Sequence, residues 1–89
     1  MDNVLASSIL QTPLHYGADI TVYSTTKHID GHGRTLGGLL LSTQKFYEEK
    51  LKFFYRNTGP TMDAFTAWIL LKSLETYPLR MEQHCKNAN

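Results

Sequence analysis

Two short segments with strand character most constrain what this 89-residue chain can fold into. Residues 20–26 are rich in β-branched and aromatic side chains and follow the turn signal Gly17-Ala18-Asp19, so they predict a strand. Residues 36–41 are almost continuously apolar, which predicts a strand buried on both faces, as in α/β sheets. Gly37 and Gly38 would weaken this strand and therefore indicate a close approach by another group. Because two strands alone do not make a stable sheet, the pair is expected to belong to a larger one.

A first helical pattern follows the strands. It is expected to begin after Ser42 or Thr43, since either side chain could cap it, and residues 57–60 interrupt it. Its apolar side chains would share one face: Tyr47, Leu51 and Phe54.

A second and longer helix is expected to begin near Thr61 or Asp63, to kink at Pro78 and to continue through the charged tail. Its apolar face consists of Ala64, Ala67, Trp68, Leu71 and Leu74, and is widened by Phe65, Ile69 and Leu70. A helix that is apolar over so much of its circumference needs cover on several sides. The N-terminal segment is too short to supply that cover, so the pattern predicts a fragment of a larger domain.

Composition excludes several classes of protein. The net charge of +1 gives no electrostatic case for binding nucleic acid. No apolar run approaches the roughly 20 residues of a membrane span, and the start of the chain lacks the pattern of a signal peptide. A single cysteine, Cys85, allows no internal disulfide and fits a reducing compartment. We therefore expect a cytoplasmic protein without nucleic-acid or membrane partners.

The segment around Lys27 carries the clearest chemical signal. A lone lysine after a strand is usually a solvated surface charge. Here Ser24 and Thr26 precede it by three residues and one residue, and a loop with two glycines follows. Such an amine could form an imine with a phosphorylated aldehyde cofactor, while the hydroxyl groups hold the phosphate. From the chemistry alone, the surface charge and the cofactor site both stay open.

Other candidate sites are weaker. His28 and His32 are four residues apart, but they lie in a glycine-rich loop rather than on a helix, so no metal site is expected. The glycines at 31, 33 and 37 miss the dinucleotide-binding spacing by one residue and open no helix. Cys85 lies in a charged helical segment and is interpreted as an ordinary thiol.

Several motifs in one register give the chain a family resemblance. They are Asp2-Asn3, Leu10-Gln11-x-Pro13-Leu14-x-x-Gly17-Ala18-Asp19, Ser24-x-Thr26-Lys27, Gly37-Gly38, Thr58-Gly59-Pro60-Thr61 and Leu71-Lys72-x-Leu74-Glu75-Thr76-x-x-Leu79-Arg80-Met81. Together they resemble the pyridoxal-phosphate (PLP) enzymes of cysteine and methionine metabolism, over essentially the whole chain. One departure is Met62-Asp63-Ala64, where the family usually has Leu-Ser-Pro, so the start of the second helix is expected to differ.

The resemblance implies the fold. It is an α/β fragment of the large PLP-binding domain of a fold-type I, aminotransferase-like enzyme, with a β-hairpin of the central sheet and the helices that follow. Residues 1–59 would be the part of that domain that contains the cofactor lysine. Residues 60–89 would be a long helix leading towards a C-terminal domain outside this chain.

The resemblance also assigns roles. Lys27 matches the lysine that binds the cofactor and later moves protons at the substrate's Cα and Cβ. Ser24 and Thr26 match contacts to the cofactor phosphate. Asp2 matches the carboxylate that keeps the pyridine nitrogen protonated, which makes the ring an electron sink. The stacking aromatic, the neighbouring subunit's phosphate contacts and the arginine for the substrate carboxylate would lie outside this chain.

The loop Asp30-Gly31-His32-Gly33-Arg34 bears on the reaction. A Gly-x-Gly-Arg turn at this point is similar to that of O-succinylhomoserine sulfhydrylases, which implies an amino-acid substrate and homocysteine as product. Cystathionine γ-synthase, cystathionine β-lyase and methionine γ-lyase are the alternatives within the family, and a catalytically inert, truncated remnant is the alternative of another class. The full-length family enzyme is expected to be a homotetramer.

Overall fold

The computed structural model describes every residue from 1 to 89, and it has the α/β architecture that the sequence predicts. In chain order the elements are α1 (Ser7–Leu10), a 3-10 turn (Pro13–Tyr16), β1 (Ile20–Ser24), a π-helical turn (Thr25–Ile29), β2 (Gly38–Ser42), α2 (Gln44–Phe46), a π-helical stretch (Tyr47–Leu51), α3 (Lys52–Thr58), α4 (Ala64–Leu74) and α5 (Tyr77–Ala88). None of these helices is both long and apolar enough to cross a membrane.

The sheet is a two-stranded hairpin that is extended on one edge by a bridge to the N-terminal residues. β1 pairs antiparallel with β2, with Val22 opposite Leu40. On the other edge of β1, Asp2 forms a single parallel bridge with Val22. The Asn3 N–H donates to the Val22 carbonyl at 3.0 Å, and the Val22 N–H donates to the Met1 carbonyl at 2.9 Å. The N-terminal residues therefore extend the sheet and bring Asp2 beside the strand that leads to Lys27.

Both strands differ in their bounds from the predicted segments. β1 ends at Ser24, because the next two residues enter the π-helical turn. β2 begins at Gly38, two residues later than expected. The predicted close approach at the glycines is confirmed, since a Cβ on Gly37 would lie 2.8 Å from the Thr25 Oγ1 and one on Gly38 would lie 3.3 Å from the Tyr23 carbonyl oxygen.

Local capping sets the helix starts and ends. Thr43 caps α2, and its Oγ1 accepts a hydrogen bond from the Phe46 N–H at 3.2 Å. Gly59 ends α3 in the left-handed conformation, with φ 69°. Asp63 caps α4 by accepting from the Thr66 N–H at 2.9 Å. These caps lie where the sequence indicated helix boundaries.

The segment 60–89 holds two helices, so the prediction of one long helix is wrong. α4 ends at Leu74 and α5 begins at Tyr77. Pro78 does not kink a continuous helix; it lies in the first turn of α5, where the missing N–H costs no hydrogen bond.

The interior contains little apolar surface. Its apolar members are Tyr23, Ile29, Leu70, Tyr77 and Met81. The buried polar side chains are more numerous: Asn3, Ser7, Thr21, Thr25, Asp30, Thr35 and Ser73. Polar contacts therefore carry much of the tertiary organisation.

Much of the predicted apolar surface is open in this chain. Leu40 in β2 is 48% exposed, so the expectation of a strand buried on both faces is wrong here. On α4, Trp68 is 56% and Leu71 62% exposed, whereas Leu70 and Ser73 are buried. The face of α4 that packs in this chain is thus not the apolar stripe that the periodicity selected.

Candidate functional site

Lys27 lies in the π-helical turn Thr25–Ile29, here called the lysine turn. Its backbone angles, φ −86° and ψ −119°, are not helical, so the chain changes direction at this residue. The Asp30 N–H donates to the Thr25 carbonyl at 2.9 Å and the Gly31 N–H to the Lys27 carbonyl at 2.8 Å. The side chain itself is exposed and takes part in none of the chain's ion pairs. Its amino group is therefore accessible to a ligand.

The two hydroxyl residues beside Lys27 have different environments. The Thr26 Oγ1 accepts a hydrogen bond from the Gly37 N–H at 3.0 Å and lies 3.4 Å from the Gly37 carbonyl oxygen. Thr26 thus ties the lysine turn to the start of β2. Ser24 is half-buried at the end of β1, opposite Gly38.

Asp2 and Ser24 share one face of the sheet. Residues paired across a bridge point to the same side, and side chains along a strand alternate, so Asp2, Val22 and Ser24 lie on a common face. Asp2 is exposed, and its Oδ1 accepts from the Val4 N–H at 2.9 Å. The structure therefore brings the predicted carboxylate to the face that carries one of the predicted hydroxyl groups.

Asn3 lies on the opposite face and is buried. Its Nδ2 donates to the Tyr23 hydroxyl at 3.0 Å, to the Ser7 carbonyl at 3.0 Å and to the Gln11 carbonyl at 2.9 Å. These bonds fix the N-terminal segment against β1 and so hold Asp2 in register. The motif Asp2-Asn3 gave no indication that Asn3 anchors the N-terminal segment.

Asp30 anchors the glycine-rich loop after the lysine turn. Its side chain has no exposed surface, and its carboxylate accepts from the Arg34 N–H at 2.6 Å, the Arg34 Nε at 3.0 Å and the Thr35 N–H at 3.4 Å. The Arg34 Nη2 also donates to the Ser73 Oγ of α4 at 2.5 Å. Loop and helix are thereby joined.

The protonation of Asp30 follows from these contacts. Burial alone would raise the pKa of Asp30, but the N–H and guanidinium of Arg34 and the N–H of Thr35 outweigh it. The pKa of the carboxyl group therefore lies below its ordinary value, and the group is an anion at neutral pH.

A sequence model of the Cys/Met metabolism PLP-dependent enzymes matches residues 1–89. The chain belongs to this family. Among curated relatives, O-succinylhomoserine sulfhydrylase from Mycobacterium tuberculosis is 48% identical over 88 residues, and cystathionine gamma-synthase from Mycobacterium bovis is 39% identical over 88 residues. Each alignment covers 99% of this chain, but only 22% and 23% of the respective relative. The chain therefore spans less than a quarter of the length of these relatives.

A solved structure matches the fold of this chain. The crystal structure of metB from Corynebacterium glutamicum superposes with a TM-score of 0.88 and 40% sequence identity. The match covers 98% of this chain and 23% of that one. The hairpin and its following helices thus have the same fold as the matching part of that structure.

PLP is the cofactor expected for a member of this family. The cofactor presents an aldehyde, a phosphate and a pyridine nitrogen. In this chain, Lys27 offers an amino group without an ion-pair partner, Ser24 and Thr26 offer hydroxyl groups, and Asp2 offers an exposed carboxylate on the face of Ser24. This donor set fits the cofactor. The chain forms no group of three His, Cys, Asp or Glu side chains that could hold a metal ion.

Proposed function

We propose that Lys27 binds PLP covalently and that the protein, at full length, is an O-succinylhomoserine sulfhydrylase. It would release succinate from an O-succinylhomoserine substrate and accept sulfide, giving homocysteine. Its location would be cytoplasmic and its assembly a homotetramer.

The comparison of relatives is the observation that carries this choice of reaction. The sulfhydrylases from Mycobacterium tuberculosis and Pseudomonas aeruginosa are 48% and 42% identical to the chain, against 39% for the cystathionine gamma-synthase. The Gly31-x-Gly33-Arg34 turn supports the same choice. Both glycines have positive φ, 69° and 66°, and Arg34 pairs with Asp30, so the turn has a defined conformation rather than a free one.

When bound, PLP supplies an electron sink for charge that develops at the substrate's Cα. Lys27 would remove protons from the substrate's Cα and Cβ before succinate leaves Cγ, and it would return protons to both carbons after sulfide has added at Cγ. Asp2 would hold the pyridine nitrogen protonated. Ser24 and Thr26 would donate to phosphate oxygens. For Thr26 this exchanges only its long 3.4 Å contact with the Gly37 carbonyl, because its oxygen still accepts from the Gly37 N–H.

Steady-state kinetics of the full-length protein tests the reaction. With O-succinylhomoserine as first substrate, we expect kcat/KM for sulfide to exceed that for cysteine. A preference for cysteine would instead support a cystathionine γ-synthase, which is the second candidate because of its 39% identity. Lys27→Ala serves as the control, since it should abolish either activity.

Residues 1–89 by themselves are proposed to be catalytically inert. Trp68, Leu71 and the β2 leucines are exposed, and the sheet has few strands, so aggregation or a loosely packed state is favoured. We expect no stable visible cofactor band and no homocysteine when these residues are expressed alone and mixed with PLP. Measurable turnover would contradict this proposal without affecting the assignment of Lys27.

A further inference from the structure

Arg80 of α5 reaches the backbone directly after Lys27. Its Nη1 donates to the His28 carbonyl at 2.7 Å, and its Nη2 donates to the Ile29 carbonyl at 3.0 Å. These two carbonyls lie at the C-terminal end of the lysine turn. The planar guanidinium presents its donors in a fixed fork, which suits two successive carbonyl groups.

The same guanidinium is fixed to the junction between α4 and α5. Its Nη2 also donates to the Ser73 carbonyl at 3.0 Å, and its Nε donates to the Thr76 Oγ1 at 3.1 Å. The guanidinium carbon lies 5.6 Å from the centre of the Tyr77 ring, within the range of a cation–π contact. These contacts fix the position of the Arg80 guanidinium independently of its bonds to the lysine turn.

Gly31 leaves the space that Arg80 occupies. A Cβ at Gly31 would overlap the Arg80 Nη1 and lie 2.8 Å from its Cζ. Gly33 has nearly the same backbone angle, φ 66° against 69°, but a Cβ there would meet nothing within 4 Å. Both glycines adopt a positive φ that other residues disfavour. Only Gly31 is also required to leave room for the Arg80 side chain.

We propose that Arg80 is a positioning residue for Lys27, acting through the His28 and Ile29 carbonyls. The inference rests on the proposed role of Lys27. Thr26 holds the N-terminal side of the turn through Gly37, and Arg80 holds the C-terminal side. Lys27 lies between these attachments with no ion pair of its own, so the direction of its side chain depends on the turn.

The variants are chosen to separate positioning from general stability. Arg80→Met keeps a long unbranched side chain and loses the donors, whereas Arg80→Lys keeps the charge and loses the planar set of donors. In the full-length protein, we expect both to raise the PLP dissociation constant about tenfold to a hundredfold, because the loss of hydrogen bonds from a charged group has effects of this size. Arg56→Met, at an exposed arginine of α3, should leave it unchanged.

The glycines supply a matched pair. Gly31→Ala should weaken PLP binding as Arg80→Met does, and the double variant should be no worse than either single one. Gly33→Ala imposes similar backbone strain without meeting Arg80, so its effect on PLP binding should be small. Equal effects of the two alanine variants would overturn the role of Arg80.

Two readouts go beyond activity and global stability. Hydrogen exchange at the Asp30 and Gly31 amides, which close the lysine turn, should be faster in Arg80→Met than in the Arg56→Met control. In Arg80→Ala, added methylguanidinium should restore the visible cofactor band, and methylammonium should not. Unchanged amide exchange, or a band that methylguanidinium leaves unrestored, would contradict the inference.

Lys27→Ala, measured in the same experiment, separates the proposed cofactor role of Lys27 from the proposed positioning role of Arg80. If Lys27→Ala retains the visible cofactor band, the proposed function is wrong, and the inference fails with it. If Lys27→Ala loses the band while Arg80→Met binds PLP as tightly as the unaltered protein, the proposed function stands and only the role of Arg80 is overturned.

Discussion

The lysine turn and the helical run from residue 44 to 58 are built in opposite ways. Around the turn, Thr25, Ile29 and Asp30 are buried, and side chains from α4 and α5 reach the loop. The helical run contains no buried residue, and Phe53 on it is 80% exposed. Sequence separation differs as well, since Arg80 and His28 are 52 residues apart whereas the run is supported by pairs such as Glu48 and Lys52.

In this chain, the contacts that depend on one particular partner lie around the lysine turn. Bonds to buried charged groups depend on an exact partner and are lost completely when that partner is removed. Pairs four residues apart on an exposed helix contribute little and are screened by salt. The proposed cofactor lysine lies in the region with the specific partners, as a group that needs a fixed geometry should.

The largest change is expected at Leu70, which joins α4 to the lysine turn's core. Leu70→Ala should lower the free energy of unfolding of the full-length protein by about 3 kcal/mol, because it leaves a cavity beside Ile29 and Tyr77. Leu70→Met is the matched variant and should lower it by less than about 1.5 kcal/mol, because it conserves volume. Urea unfolding measures both, and equal losses would contradict the packing described for α4.

A smaller change is expected at Asp30. Asp30→Ala leaves the Arg34 and Thr35 N–H groups without their acceptor, at a cost of about 2 kcal/mol. Asp30→Asn keeps an acceptor oxygen and should lose less. Urea unfolding of both variants tests this order, and an Asn variant as unstable as the Ala variant would show that the carboxylate's shape is not what the loop requires.

The pH dependence of that contribution has a definite sign. Because the pKa of Asp30 is lower in the folded protein than in the unfolded chain, its stabilisation is present in full above the unfolded value of about 4. It is lost as pH falls through the folded value. The difference in unfolding free energy between the unaltered protein and Asp30→Asn should therefore be constant above about pH 5 and shrink below about pH 4. A difference that grows on acidification would contradict the sign.

The smallest change is expected in the helical run. Glu48 holds Lys52 at 2.7 Å, and this hydrogen bond raises the pKa of Lys52 above its ordinary value. Both side chains are about half exposed, so Glu48→Gln should change stability less than either Asp30 variant. The remaining effect should vanish in about 1 M salt, where charges are screened within about 3 Å. A salt-independent loss would indicate a tertiary role for the run.

Sequence patterns predicted the local features of this fold well. Thr43, Gly59 and Asp63 lie at helix ends because capping depends on neighbouring residues, which a pattern can read. β1 ended earlier than predicted because the Thr25 carbonyl accepts from the Asp30 N–H and the Thr26 Oγ1 accepts from the Gly37 N–H, which draws both residues into the lysine turn. Their β-branched side chains, taken alone, favour a strand.

The contacts between residues far apart in the sequence could not be predicted from local patterns. Ser73 is buried on α4 because it meets Arg34, and Arg80 is fixed because it meets carbonyls more than fifty residues earlier. Periodicity instead selected the stripe of Trp68 and Leu71, which is larger and more apolar but exposed in this chain. Arg80 was part of the motif Leu79-Arg80-Met81, but the motif does not indicate which groups Arg80 contacts.

The assignment of Lys27 is tested most directly by trapping the cofactor. The full-length protein is loaded with PLP, reduced with borohydride and digested, and the pyridoxyl-bearing peptide is identified by mass spectrometry. We predict the label on Lys27, and its absence from that peptide in Lys27→Ala. A label on Lys45, Lys50 or any other lysine of the unaltered protein would contradict the account.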